Sequence, residues 1–201
     1  MDAFTPATIA ALIIAASFAA GLNVYATLLT LGILARVHWV DLPPGLELLA
    51  NWWFIGISGF MFAIEFVADK VPAFDMIWNA LHTFVRVPVA ALLAYHASAQ
   101  LSPEMQALAA VAGAGIALVA HGSKTAIRAA VTPSPEPVSN IVLSTSEDFL
   151  AVGVTWLATR HPWIAASIAC FFLVLAVITV RWLAGFIRRA WHRSNATSAH
   201  S

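Results

Sequence analysis

Residues 65–86 read EFVADKVPAFDMIWNALHTFVR. The charged positions Glu65, Asp69, Lys70, Asp75 and Arg86 stand between flanks that are almost wholly apolar. WWFIGISGFMFAI (residues 52–64) precedes them and VPVAALLAYHA (residues 87–97) follows. Both flanks have the composition of membrane-spanning helix. A charge at mid-membrane costs at least about 2.5–3.5 kcal/mol on insertion scales, so such residues are rare, usually paired, and mark a functional site by default. A second set, His121, Lys124, Arg128, Glu147 and Asp148, repeats the pattern in the other half of the chain.

Composition agrees with a bilayer setting. The chain has 201 residues, 61% of them hydrophobic and 10% charged, and a mean hydropathy of +0.84. A soluble domain carries roughly 45–50% apolar and about 25% charged residues, enough to coat a surface facing water. This chain has too little polar material for that and reads as an integral membrane protein whose neighbours are lipid. Ten basic and ten acidic residues balance, so nothing electrostatic argues for nucleic acid. The single cysteine, Cys170, cannot make an internal disulfide. The N-terminus lacks the basic leader of a signal peptide, so the first apolar run is expected to stay as a helix.

Read along the chain, about six spans are expected. The first covers residues 8–35, interrupted at Gly21-Leu22-Asn23, where it should tilt, kink or unwind. The turn Pro43-Pro44-Gly45 leads to a second span (52–68) opened by the interfacial pair Trp52-Trp53. A third (74–97) carries Pro88 and should kink there. Ser102-Pro103-Glu104 is a helix start, with a cap, a first-turn proline and a first-turn acid, and the fourth span follows to residue 131. Alternating prolines at 133, 135 and 137 exclude helix there. The fifth and sixth spans cover 139–159 and 163–189. The expectation is one membrane domain, residues 1–190, with a disordered cytoplasmic tail at 191–201. The tail bases Arg188, Arg189, His192 and Arg193 place the C-terminus inside. An even number of spans puts the N-terminus there too. Gly21-Leu22-Asn23 set against Gly122-Ser123-Lys124 suggests two halves, 1–100 and 101–190. With three helices in each, such halves would be inverted repeats.

The polar residues fall on helical stripes. Asp75, Asn79, His82, Thr83 and Arg86 share one face, as do His121, Lys124, Thr125 and Arg128, and again Asn140, Ser144, Glu147 and Asp148; Asn23, Thr27 and Thr30 add a fourth stripe. Hydrocarbon cannot solvate these stripes, so they should face each other or water. One reading is a polar cavity that binds an ion, a proton or a charged solute. The bland one is a closed salt-bridge network that fixes packing and binds nothing, which the near balance of bases and acids allows. The first is preferred, because small residues alone can specify helix packing without the desolvation. His82, His121, Glu65 and Glu147 show no metal-ligand spacing. No phosphate loop, nucleophile elbow or zincin motif is present, so no enzyme and no cofactor is expected. Gly113-Ala114-Gly115 reads as a close-packing surface.

The run from Glu65 to Arg86, with its E-x-x-x-D-K-x-P-x-x-D core, resembles the signature of domain-of-unknown-function family 4126, a mainly bacterial membrane family. Gly21-Leu22-Asn23, His121-Gly122-Ser123-Lys124 and Glu136-Pro137-Val138-Ser139-Asn140 with Glu147-Asp148 resemble it as well. The likeness spans nearly the whole chain and implies a bacterial inner-membrane location; it supplies no activity.

The expectation is therefore an all-α inner-membrane transporter or channel for an ion or small charged solute. Glu65, Asp69, Glu147 and Asp148 would bind a cation or proton, and Asn23, Asn79 and Asn140 would be neutral ligands. Arg86, Lys124 and Arg128 would lock the acids between cycles or bind an anionic group, and Lys70, Asp75 and His121 complete the set of candidate binding residues. The rival is a scaffold or lipid-interacting protein with structural charges. A weaker third is a lipid-headgroup enzyme with His82 or His121 as base. A homo-oligomer is left open.

Overall fold

The computed structural model describes the backbone of residues 4–70, 72–131 and 137–198, and the side chains there except at 72–76, 129–131, 137–140, 187 and 190–198. It is all-α: α1 (Pro6–Leu22), α2 (Val24–Arg36), a 3-10 helix (Pro44–Ala50), α3 (Trp52–Ala68), α4 (Pro72–Ala97), α5 (Pro103–Val131), α6 (Pro137–Arg160) and α7 (Pro162–Ser198). Among the described residues, four helices hold windows long and apolar enough to cross a bilayer: Ile77–Ala97, Pro103–Arg128, Ile141–Arg160 and Pro162–Phe186. The 3-10 helix and α3, bent by 68° at their junction, add a fifth when taken as one span. Residues 8–35, expected as one span, form two shorter helices of 17 and 13 residues.

Asn23 makes that division. Its backbone is extended (φ −150°, ψ 104°), its N–H closes α1 on the Ala19 carbonyl at 2.9 Å, and its side-chain oxygen caps α2 by accepting from the Ala26 N–H at 2.9 Å. Asparagine suits this place because its short side chain replaces the backbone acceptor that a helix start lacks. One residue thus ends one helix and begins the next.

The chain folds back at this point. Leu31 of α2 packs in one core with Ile9, Ile13 and Ala16 of α1 and with Leu46, Leu93 and Ala97. Were the two helices collinear, Ile13 and Leu31 would stand about 27 Å apart at 1.5 Å per residue. Both open ends of the α1–α2 hairpin reach the same end of the bundle, where Phe4, Thr8, residues 39–43, Ala158, Arg160 and Pro162 meet and Gln100 Nε2 donates to the Phe4 carbonyl at 2.9 Å. A left-handed residue, His38 (φ 56°), ends the turn after α2. From that end α3, α5 and α7 run away, and α4 and α6 return.

The start of α1 and the end of α7 therefore lie at opposite ends of the bundle. Residues 8–35, expected as one span, fold back instead to the end of the bundle where α1 begins. Gly21-Leu22-Asn23 sits at this break, whereas Gly122-Ser123-Lys124 lies inside the continuous α5. Pro88 stands within α4, which continues on both sides of it. The run Thr132–Glu136 lies outside the described residues. The backbone of α7 continues to Ser198 through most of the segment expected to be a disordered tail, because no glycine or proline follows Gly185 to stop it.

Small residues let the helices approach. α1 is the central helix, packed against α4, α5, α6 and α7, and most of its residues are buried. A Cβ at Gly21 would come within 2.7 Å of the Ala117 carbonyl oxygen on α5. One at Gly113 would come within 2.6 Å of Ala94 Cβ on α4 and 2.9 Å of Ser17 Oγ on α1. Such close backbone approach gives helices their van der Waals cohesion where lipid supplies no hydrophobic drive. Gly113 thus belongs to a packing surface, as its neighbourhood suggested.

Candidate functional site

The tip of the hairpin ends in the polar layer of the bundle. Helix α3 brings Glu65 from its last turn and Asp69 from its C-terminal cap, α4 brings Asn79, His82, Thr83 and Arg86, α5 brings His121, Lys124 and Arg128, and α6 brings Ser144, Glu147 and Asp148. Asn23, Glu65, Asp69, Asn79, Arg86, His121, Lys124, Arg128 and Asp148 are all buried. The two charge clusters of the sequence meet here.

Asp69 joins them. Its Oδ2 accepts from Lys124 Nζ at 2.9 Å and Arg128 Nη2 at 3.2 Å. Glu147 Oε2 takes the same two cations, Lys124 at 3.1 Å and Arg128 closer still. Two acids from different halves of the chain therefore share two bases. Glu147 has the most open side chain of the four, 17% exposed against 1% for Asp69.

A second branch runs through α4. Arg86 Nη2 pairs with Glu65 Oε1, both side chains fully buried. Arg86 Nη1 stands 2.7 Å from His121 Nδ1. A guanidinium only donates, so Nδ1 accepts and the ring proton sits on Nε2. That nitrogen faces Thr83 Oγ1 at 2.8 Å and the Asn79 carbonyl at 3.0 Å. His121 is thereby a neutral spacer between a base and two oxygens. His82 is held comparably: Nδ1 donates to the Trp78 carbonyl at 2.8 Å, Nε2 faces the Tyr25 hydroxyl at 3.2 Å, and the ring stacks on Trp78. Both nitrogens of each histidine are engaged.

The third branch is the hairpin tip itself. Lys124 Nζ donates to the Leu22 carbonyl at 3.2 Å, at the C-terminal end of α1. Asn23 Nδ2 donates to Asp148 Oδ1 at 2.8 Å, at the N-terminal end of α2. A cation at a helix C-terminus and an anion near a helix N-terminus are the favourable placements for two macrodipoles. A broken helix ending among charged groups in mid-bundle is also how discontinuous helices form ion sites in transporters.

Of the expected site residues, Lys70 stands apart. Its Nζ turns back to the Phe66 carbonyl at 2.8 Å and lies over the Phe66 ring, at the rim. The side chains of Asp75 and Asn140 lie outside the described residues. Sequence reading missed Tyr25 and the Leu22 carbonyl as participants. Nothing periodic marks them, because both flank a break. Ser144 was legible as the residue one turn before Asp148, yet only its burial sets it beside the site residues. Among the described residues, no three His, Cys, Asp or Glu side chains gather as a metal would need.

A cavity of about 360 Å³ opens at the far end of the bundle, lined by Thr8, Leu12, Asp41, Ala158 and Arg160 among others. From Ala158 to Asp148 is ten residues of α6, about 15 Å of rise. The α1–α6 seam between them is filled by Ala15, Phe18, Ala19, Leu22, Ala151 and Val154. The charge network is sealed on that side.

A family model described as a domain of unknown function, DUF4126, matches residues 10–182. No curated protein and no solved structure matches the chain.

Proposed function

The chain belongs to the DUF4126 family, and we propose that it is a small membrane transporter for an ion or small charged solute, with the buried network as its binding centre. One observation carries the reading: a helix that breaks at Asn23 and turns back ends on a charge network to which α3, α4, α5 and α6 all contribute. A scaffold needs neither the break nor the desolvation of so many charges, which small-residue packing would replace. A transporter needs both. A half-crossing hairpin is an element that can move without dragging a whole span, and charges exchanged between partners give two arrangements to move between.

The sealed α1–α6 seam and the partly exposed Glu147 fit a state closed towards the cavity end and nearer to opening at the other. The positive-inside rule makes that other end cytoplasmic, since Lys70, Arg188 and Arg189 lie there. The N-terminus would then face outward, across what the family resemblance suggests is a bacterial inner membrane. Five crossings and one re-entrant hairpin suffice, and an inverted repeat is not required.

The rival scaffold reading rests on how fully Glu65, Asp69 and Glu147 are matched by bases. The deciding experiment reconstitutes the full chain in liposomes and measures solute-dependent charge or proton flux for the parent, Asp69→Asn and Glu147→Gln. Flux in the parent, with folded but inactive variants, supports transport. Absence of flux with any ion or solute class, with single variants that unfold and charge-paired doubles that recover, supports the scaffold.

A further inference from the structure

The carboxylates of the network are not equivalent. Glu65 is paired with Arg86, while Asp69 and Glu147 share Lys124 and Arg128. Asp148 has no cation within ion-pair distance among the described residues. Its one hydrogen bond is from the neutral amide of Asn23 to Oδ1, and Oδ2 has no partner although the residue is 5% exposed. Ser144, on the same face of α6 one turn earlier, is also fully buried with an unpartnered hydroxyl. Three buried carboxylates, Glu65, Asp69 and Asp148, and the partly exposed Glu147 stand against the three buried bases Arg86, Lys124 and Arg128, and His121 is neutral. Lys70 at the rim turns to the Phe66 carbonyl, so among the described ion pairs Asp148 is the carboxylate left without a direct base.

We infer that Asp148 is a single-proton site at the hairpin tip, with Asn23 as its reporter on the hairpin. The inference rests on the transport reading and names its ligand. A proton on Oδ2 forms one O–H bond, converts the carboxylate to a carboxylic acid, and removes a buried negative charge that no base contacts directly. It is taken from water and returned to water, with no other reactant. A proton suits the donor set better than a metal cation. Two unpartnered oxygens fall well short of the six or more that hard divalent cations collect.

The groups around Asp148 are Lys124 and Arg128 on α5, Glu65 and Asp69 on α3, Lys70 beyond α3, and Glu147 on α6. Arg181, Arg188 and Arg189 on α7 are exposed. The hairpin presents Asn23 and no charge. With Asp148 ionised, the amide donor of Asn23 holds the tip against α6. With Asp148 protonated that hydrogen bond loses its charge assistance and about half its strength, and the tip is freer to leave. Proton binding is thus coupled to the element most suited to move.

The test is infrared difference spectroscopy of the full chain in lipid nanodiscs through a pH titration, which needs no turnover. A protonated-carboxyl band should appear on acidification, vanish in Asp148→Asn and persist in Glu147→Gln. A band that survives Asp148→Asn, the absence of any such band, or a midpoint displaced by sodium or potassium chloride at fixed ionic strength overturns the proposal. Should Asp148→Asn fail to fold, Asn23→Ala keeps the carboxyl and removes its donor. The band should then persist to roughly tenfold lower proton concentration, and an unmoved midpoint overturns the proposal. The band without flux in liposomes would leave the proton site standing and remove the transport reading; flux without the band would do the reverse.

Discussion

Asn23 and Asp148, 125 residues apart in the chain, are joined by a hydrogen bond of 2.8 Å from Nδ2 to Oδ1. The same asparagine caps α2 through its other side-chain atom, so one residue ends a helix, starts another and ties the joint to α6. Removal of that side chain withdraws both bonds. Asn23→Ala should lower stability by about 1–3 kcal/mol, the sum of a lost cap and a lost buried hydrogen bond. Asn23→Asp, which keeps the cap but sets a carboxylate against Asp148, should do worse at neutral pH. Thermal unfolding in detergent ranks the three proteins, and an Asp variant as stable as the parent would remove Asp148 from the hairpin tip.

The Glu65–Arg86 pair tests whether burial or function keeps the charges. Glu65→Gln leaves Arg86 buried against His121 without its anion, and breaking a buried pair from one side costs about 3–5 kcal/mol. Glu65→Leu with Arg86→Met removes both charges and should recover most of that loss. A double variant that is stable and silent in flux assigns the pair to function, whereas one that is stable and active assigns it to packing.

Close packing of α1 on α5 is read by two glycines on one scale. Gly21→Ala forces a methyl against the Ala117 backbone and should destabilise by about 1–3 kcal/mol. Gly115→Ala, whose added Cβ meets nothing within 4 Å, should stabilise slightly through helix propensity. Melting temperatures of both variants decide it, and an equal response would mean that α1 and α5 do not approach as described.

The hairpin is testable by sidedness. In a Cys170→Ala background, a cysteine at Thr5, one at Val37 and one at Gln100 should react with a membrane-impermeant maleimide from one face of the membrane. A cysteine at Ser198 should react from the other. Reaction of positions 5 and 37 from opposite faces would restore residues 8–35 to a full crossing.

Much of this was legible in residues 65–86 and their flanks. Apolar runs of span length give helices in any bilayer, because unsatisfied backbone groups in hydrocarbon leave no alternative. Spacing of three and four along α4, α5 and α6 put Arg86, Lys124 and Asp148 on inward faces before any contact was known. The break at Asn23 was visible too, since Gly-Leu-Asn in an apolar run has few other uses.

What the break does was not legible. A capping asparagine fixes where α1 ends and α2 starts, but the angle between them depends on partners far away in sequence. Gly21 fits against Ala117, Leu31 returns to Ile13, and Lys124 and Asp148 hold the tip; none of these is local. The partners of each acid were likewise hidden, because helical periodicity assigns a face and not a rotation about a neighbour. The sequence by itself determined the membrane class, the helices and which charges turn inward, all short-range consequences of composition and spacing. Only the tertiary structure decided that the first span is a hairpin, that both charge clusters are one network, and that Asp148 alone among its described acids has no base. Those are outcomes of helix packing, where contacts across 50 to 125 residues compete and the closest fit between surfaces sets the pairing.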